Sequence, residues 1–299
     1  MSTHYPKVLT LGHRFIDTIL MGNNHAEEKV DGSQFNFNKI GDILHVFSKS
    51  ATINIEYPVD MFKAGVDYLI SIQDKIPNNK YYHGEFLAKP KHNVLKYDRT
   101  PQNSIIIFDV EDSYGNPYSY EEKKRFAEEL GLETVPRLGT NIRTVEDVKL
   151  LLEHKSVLGD IAIEGIVIKN YDRITPAGDY MVGKFVSEKY KEKSRCENKE
   201  NSGKSLLQKL IEELKTEARW QKSVQHLREE GLLEGSPRDI GLLIKEVIQD
   251  VNDEEEDYIK ERLYNYYMKD IRRAIIAGLP EWYKLLLLEN LKEEKDANM

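Results

Sequence analysis

Lys29 stands two residues before an acid and three before a glycine, in the run Glu28-Lys29-Val30-Asp31-Gly32-Ser33-Gln34-Phe35. That order sets an amine beside a carboxylate, in a turn whose glycine lets backbone approach a phosphate. Such an amine is a nucleophile only when neutral. From an ordinary lysine pKa, deprotonation at pH 7 costs roughly 4.6 kcal/mol. Nearby acids raise that cost and nearby cations lower it. A second run, Glu164-Gly165-Ile166-Val167-Ile168-Lys169, alternates as a strand does. It puts Ile166 and Ile168 on one face, and Gly165, Val167 and Lys169 on the other. A third, Tyr180–Val186, sets Lys184 among apolar or small residues, where a lysine is expensive unless an anion meets it. Taken singly, each run also reads as a charged turn or an edge strand with a solvated lysine.

Together they form an ordered series: Lys29-Val30-Asp31-Gly32, Ser48-Lys49, Gly84-Glu85-Phe86, Phe108-Asp109-Val110, Glu164–Lys169 and Lys184. In this order and spacing the chain resembles the covalent nucleotidyltransferase superfamily of ATP-dependent DNA ligases, RNA ligases and GTP-using capping enzymes. The resemblance runs from Glu28 to Lys184. It implies an α+β fold, in which an ATP-grasp-like DNA/RNA ligase adenylation domain is built of antiparallel sheets with flanking helices. It implies that Lys29 attacks the α-phosphate of ATP and carries AMP, and that Glu85 binds ribose. Phe108 and Val167 would hold the two faces of adenine, and Lys169 and Lys184 would contact phosphates. Glu28, Gln34 and Lys49 would belong to the nucleotide site, and Glu164 would hold Mg2+ or Mn2+. Two positions depart from the pattern. Lys49 stands where RNA ligases usually have arginine, which keeps the charge but loses the bidentate fork. Val182 replaces the first lysine of the usual Lys-x-Lys pair, and Lys189, Lys191 and Lys193 follow nearby.

Within the superfamily, DNA ligases usually carry an arginine at the position of Gln34. DNA ligases and capping enzymes also have a short-stranded OB domain after the last motif. Nick-sealing RNA ligases frequently have an amide at that position and a helical C-terminal domain. The expected substrates are therefore ATP and RNA with 5′-phosphate and 3′-hydroxyl ends. A DNA ligase, a capping-type enzyme and a non-catalytic RNA- or nucleotide-binding relative remain as alternatives.

These residues need a scaffold to position them. With 299 residues, 40% of them hydrophobic and 31% charged, the chain can bury one large core or two medium ones. Strand-like runs occur at Gln34–Phe37, Ile43–Phe47, Ser104–Val110, Ile161–Lys169 and Tyr180–Val186, and helical ones at Met61–Ile72, Tyr120–Leu130 and Val145–His154. Thr144, with Asp147 three residues on, marks one helix start. From Ser187 to Ser205 no Val, Ile, Leu, Phe or Met occurs, which is linker composition. Helix-period segments follow at Leu206–Glu229, Pro237–Val251, Glu254–Ala277 and Pro280–Leu291. The expected division is an adenylyltransferase domain at 1–200 and a small all-α domain at 201–299. A chain stopped near Gly203 is then expected to fold and still form lysyl-AMP.

Other readings are bland. Gly203-Lys204-Ser205 lacks the upstream glycine and strand of a P-loop. The histidines show no zinc spacing. Trp220, Trp282 and the Tyr264–Tyr267 cluster read as core, and the Asp253–Asp257 run as a helix N-terminus. Cys196, the one cysteine, cannot form an internal disulfide. A formal net charge of −8 excludes a globally basic nucleic-acid coat but permits a local cationic groove. No apolar run approaches the ~18 residues a membrane span needs, so a soluble cytoplasmic protein is expected. No obligate protein partner is evident.

Overall fold

The computed structural model describes residues 5–49, 51–186 and 205–297. Residues 187–204, with Cys196, Lys189, Lys191 and Lys193, lie outside the described residues. The chain divides into two compact units, 1–200 with 215–250, and 201–214 with 251–299. Sequence composition suggested one division after residue 200. The structure instead groups residues 215–250 with the first unit.

That unit is built on two sheets. One orders β1 (Leu9–Thr10), β11 (Tyr180–Val186), β10 (Gly165–Ile174), β2 (His25–Lys29) and β9 (Arg137–Thr140). The other orders β5 (Thr52–Ile53), β4 (Ile43–Phe47), β3 (Ser33–Ile40), β6 (Lys80–Phe86), β7 (Ile105–Asp112) and β8 (Glu133–Thr134). The expected antiparallel pairing holds in both, except at two short parallel pairs, β1 with β11 and β7 with β8.

Alternation along the strands sorts their faces. Phe35 and Phe37 of β3 join Tyr82 and Phe86 of β6 in one core, covered by Val66 and Leu69 of α1 (Lys63–Ser71) and Phe126 of α2 (Tyr120–Glu129). Ala26, Ile166, Ile168 and Met181 form a second core behind the other sheet, with Val148 of α3 (Val145–Leu151). Ser119 caps α2 in a reciprocal box with Glu122, and Thr144 caps α3 in the same way with Asp147, so the first turns have partners for their N–H groups.

Of the later helices, α4 (Leu206–Leu214) and α5 (Glu217–Glu229) are separate. Thr216 accepts from the Arg219 N–H and starts a new helix, interrupting the segment expected to run from 206 to 229. Conversely, α6 (Ile240–Ile275) is continuous where two helices were expected. Its acidic run lies mid-helix, with Glu256 paired to Lys260 one turn on at 2.7 Å. Gly278, at φ 85°, separates α6 from α7 (Leu279–Ala297). In the second unit Tyr258 donates to Glu213 at 2.8 Å. The aromatic residues read as core are not core: Tyr264 is 57% exposed and Trp282 58%, and Trp220 of the first unit is 46% exposed. No helix among the described residues is long and apolar enough to cross a membrane.

Candidate active site

The chain leaves the first sheet at Lys29, the last residue of β2, and enters the second at Ser33, the first of β3. Val30, Asp31 and Gly32 make the crossing, so the lysine turn lies where the sheets meet. A side chain on Gly32 has no room there: its Cβ would lie 2.9 Å from Leu87 Cδ1 and 3.0 Å from the Phe86 carbonyl. Gly165 is the register partner of Lys29 across the β2–β10 pair. Its own Cβ would fall 2.9 Å from Val186 Cα. Both glycines are therefore fixed by close approach.

Register sets the remaining side chains. Val167 lies between Glu27 on β2 and Lys184 on β11, and alternation gives these residues the same face as Lys29. On the second sheet Gln34 pairs with Glu85, which places both on the face opposite the Phe35–Phe86 core. Lys29 Nζ donates to Glu164 Oε2 at 2.7 Å. Burial alone would lower the Lys29 pKa, but Glu164, with Glu85 and Asp31, outweighs it and holds the ammonium above the ordinary lysine range. Burial raises Glu164, and Lys29 and Lys184 partly offset this. Glu85 is pushed up to about 8, by burial first, against Lys29 and with help from Glu164, Glu229 and Asp31. Its Oε2 is buried without a hydrogen-bond partner. Asp31 is occupied: its Oδ2 accepts from the Val94 and Leu95 N–H groups, both at 2.8 Å.

Phe108 is held from behind. Lys123 Nζ donates to its carbonyl at 2.8 Å, and Lys169 Nζ bonds the same oxygen. Lys123 also bonds Glu27 Oε1 at 2.5 Å, while Lys169 lies 2.9 Å from Glu27 Oε2 and 3.0 Å from Asp109 Oδ2. Each of these four charged side chains is about 1% exposed or less. Burial disfavours the Glu27 anion, yet Lys123 and Lys169 hold it well below the usual carboxylate range. Burial pushes Lys123 down to about 8 against the pull of Glu27. Tyr5 and Tyr171 donate to Asp109 at 2.9 and 3.0 Å, and the Tyr5 ring stands edge-on to Phe108 at 5.1 Å.

The structure thus brings Lys29, Glu164, Glu85, Gln34, Val167 and Lys184 to the facing sides of two sheets, with Phe108 beside them. Lys169 is enclosed in the ion cluster beneath Phe108, not presented toward Lys29. Glu28 faces the other way on β2, where Ser156 Oγ and the Val157 N–H (2.9 Å) donate to its carboxylate. Lys49 is exposed, and its charge is felt by Glu229.

Sequence reasoning missed two groups. Glu27 and Lys123 were legible in principle: Lys123 occupies the stripe that Phe126, Ala127 and Leu130 continue at helical spacing. The second group, joining Ser33, His92, Gln225 and Glu229, had no local signal. The His92 imidazole Nδ1 accepts from the Ala88 N–H (3.2 Å), which leaves Nε2–H to donate to Ser33 Oγ at 2.8 Å. Gln225 Nε2 donates to the same oxygen at 3.0 Å, and Ser33 donates to Glu229 Oε1. Helix α5 is therefore bonded to the first residue after the lysine turn.

Among the described residues no three His, Cys, Asp or Glu side chains cluster as metal ligands. Glu164, with the unpartnered Glu85 oxygen near it, fits instead the way Mg2+ is usually held, by one or two carboxylates together with substrate phosphates.

The RNA ligase family model matches residues 24–186, a span that contains every site residue named above from the sequence. No curated protein matches the chain. Among solved structures the fold is similar to that of the Naegleria gruberi RNA ligase with PPi: TM-score 0.52, 17% identity, 66% of this chain and 59% of that one. A mutant of that ligase with ATP and Mn gives TM-score 0.51, 17% identity, and coverage of 64% and 59%. A second mutant, with AMP and Mn, gives 0.51, 16%, 64% and 59%. The chain matches less than two thirds of the length of these relatives.

Proposed function

The chain belongs to the RNA ligase family, and from that premise we propose that it joins RNA 3′-hydroxyl and 5′-phosphate ends using ATP, through a lysyl-AMP on Lys29. The observation that carries this reading is the placement of Lys29 between Glu164 and Glu85 where the two sheets meet. Lys29 Nζ, as a free amine, bonds to the α-phosphorus of ATP as the bond to pyrophosphate breaks. AMP passes to the RNA 5′-phosphate and the lysine amine is restored. The 3′-hydroxyl oxygen then attacks that phosphate and AMP leaves.

In the free protein Glu164 is the chief group that holds the proton on Lys29, so neutralising its charge favours the free amine. A divalent cation at Glu164, Mg2+ or Mn2+, supplies positive charge beside the phosphates when bound. Phe108 and Val167 flank the base, Glu85 accepts from ribose hydroxyls, Gln34 lies alongside, and Lys184 faces the phosphates. Lys169 acts by fixing the Phe108 backbone. Incubation with α-labelled ATP and Mg2+ followed by a denaturing gel tests the reading. Wild type retains label, Lys29→Ala does not, and unchanged labelling of that variant would overturn it. GTP is expected to label far less than ATP.

A further inference from the structure

We propose that the loop joining β6 to β7, residues 88–96, is the surface that receives the phosphate backbone of the RNA strand bearing the 5′-phosphate, through Lys89, Lys91 and Lys96. This inference rests on the RNA ligase reading of the Lys29 site and adds where the polynucleotide lies.

The segment Ala88-Lys89-Pro90-Lys91-His92-Asn93-Val94-Leu95-Lys96 carries three lysines and no acid, in a chain of net charge −8. All three lysines are exposed, and none is ion-paired among the described residues. The backbone beneath them is tightly held. Asp31 Oδ2 takes the Val94 and Leu95 N–H groups. Asn93 Nδ2 donates to the Gly32 carbonyl at 2.7 Å. The Asp31 N–H donates to Tyr97 Oη at 2.7 Å, and the Tyr97 N–H closes the loop on the Pro90 carbonyl at 3.0 Å. His92 adds its bond to Ser33, which α5 braces through Gln225 and Glu229.

Every one of these anchors falls within Asp31–Ser33 or within the loop's own closure. The backbone that carries the lysines is therefore fixed against the turn that would carry AMP, while the exposed lysine side chains extend from it. Nearby acids are occupied elsewhere: Asp98 accepts from the Asp160 N–H, Glu133 pairs with Arg99, and Asp31 is spent on the loop backbone. A rigid cationic ledge beside a nucleophile suits a polyanion whose end must reach that nucleophile, because little ordering is left to do on binding.

The test uses the full-length protein with Lys89, Lys91 and Lys96 all changed to Ala, and a second variant with all three changed to Arg. A short 5′-phosphorylated RNA is the probe. Binding of the Ala variant is expected to weaken at least about tenfold near 0.1 M salt, with the log–log salt slope reduced by about 2, from roughly 0.7 per lost phosphate contact on a single strand. The Arg variant should keep most of the affinity, and lysyl-AMP formation should stay within about twofold of wild type in both, since these side chains lie outside the nucleotide pocket. Unchanged affinity and slope in the Ala variant would overturn the proposal, as would a collapse of AMP labelling alongside binding. Because binding is read without chemistry, a wild type that fails to label would sink the ligase reading while this measurement still decides the loop.

Discussion

Replacing Glu85 with Gln separates the charge of this carboxylate from its shape. The group keeps its proton from the ordinary 4.5 up to about 8, chiefly because it is buried, with Glu164, Glu229 and Asp31 adding to the effect and Lys29 opposing it. Between those values the native state holds a proton that the unfolded chain has released. Stability therefore falls as pH rises through that window. Each pH unit of such a difference is worth about 1.4 kcal/mol, so the full loss is on the order of 5 kcal/mol, about 4 of it above pH 5, and about 2 kcal/mol where the native state relaxes around the new charge. Glutamine cannot ionise. Wild type and Glu85→Gln should thus be nearly equal in stability at pH 5, with the variant ahead by about 2–4 kcal/mol at pH 8.5. For a unit of this size that is roughly 5–10 °C in Tm. Thermal melts from pH 5 to 9 without nucleotide measure it. A difference that stays constant across the range would refute the reasoning.

Four further outcomes are expected. Lys123→Ala leaves Glu27 with one buried cation fewer and should cost about 3–5 kcal/mol in urea unfolding. Gly165→Ala drives a methyl toward Val186 Cα across the β10–β11 pair; it should cost about 1–3 kcal/mol and lower AMP labelling, read on the same preparation. Glu229→Ala removes the acceptor of the Ser33 hydroxyl, which should cost about 1–3 kcal/mol by urea titration and reduce labelling. By the same contact, a chain stopped near Gly203 is now expected to lose labelling along with sealing, because it lacks Gln225 and Glu229.

Strands β3, β4, β7, β10 and β11 and the Thr144 cap were legible because alternation and capping boxes are local, whereas β2 and β6, which carry Lys29 and Glu85, were not read as strands. Ile166 and Ile168 against Val167 and Lys169, and Thr144 with Asp147, follow from spacing alone. The facing of Lys29, Glu85 and Glu164 followed only from the ordered series of motifs, since no local rule pairs residues so far apart. Lys169 shows the limit of this reading. The motif marks a lysine in a strand, but only the fold says that its anions are Glu27 and Asp109. Glu28 likewise sits beside the nucleophile in sequence and on the opposite face in space. The helices α4 to α6 misled where one physical effect masked another. A threonine cap split one expected helix, and an acidic run that would suit a helix start is carried mid-helix. The exposure of Tyr264 and Trp282 reverses an inference from helical spacing, which reports a shared face but not whether anything covers it.

The quartet of Glu27, Lys123, Lys169 and Asp109 constrains how this sequence can drift. Any single change to a neutral side chain strands an opposite charge in the interior, so each one-step path crosses a destabilised intermediate. Paired changes that remove one acid and one base together avoid that penalty, and an apolar replacement of the whole set need not be less stable. Lineages of this fold should therefore hold the four together or exchange them in matched pairs. Substitutions at these positions in descendants should be correlated across strands β2, β7 and β10 and helix α2, elements that share no local sequence.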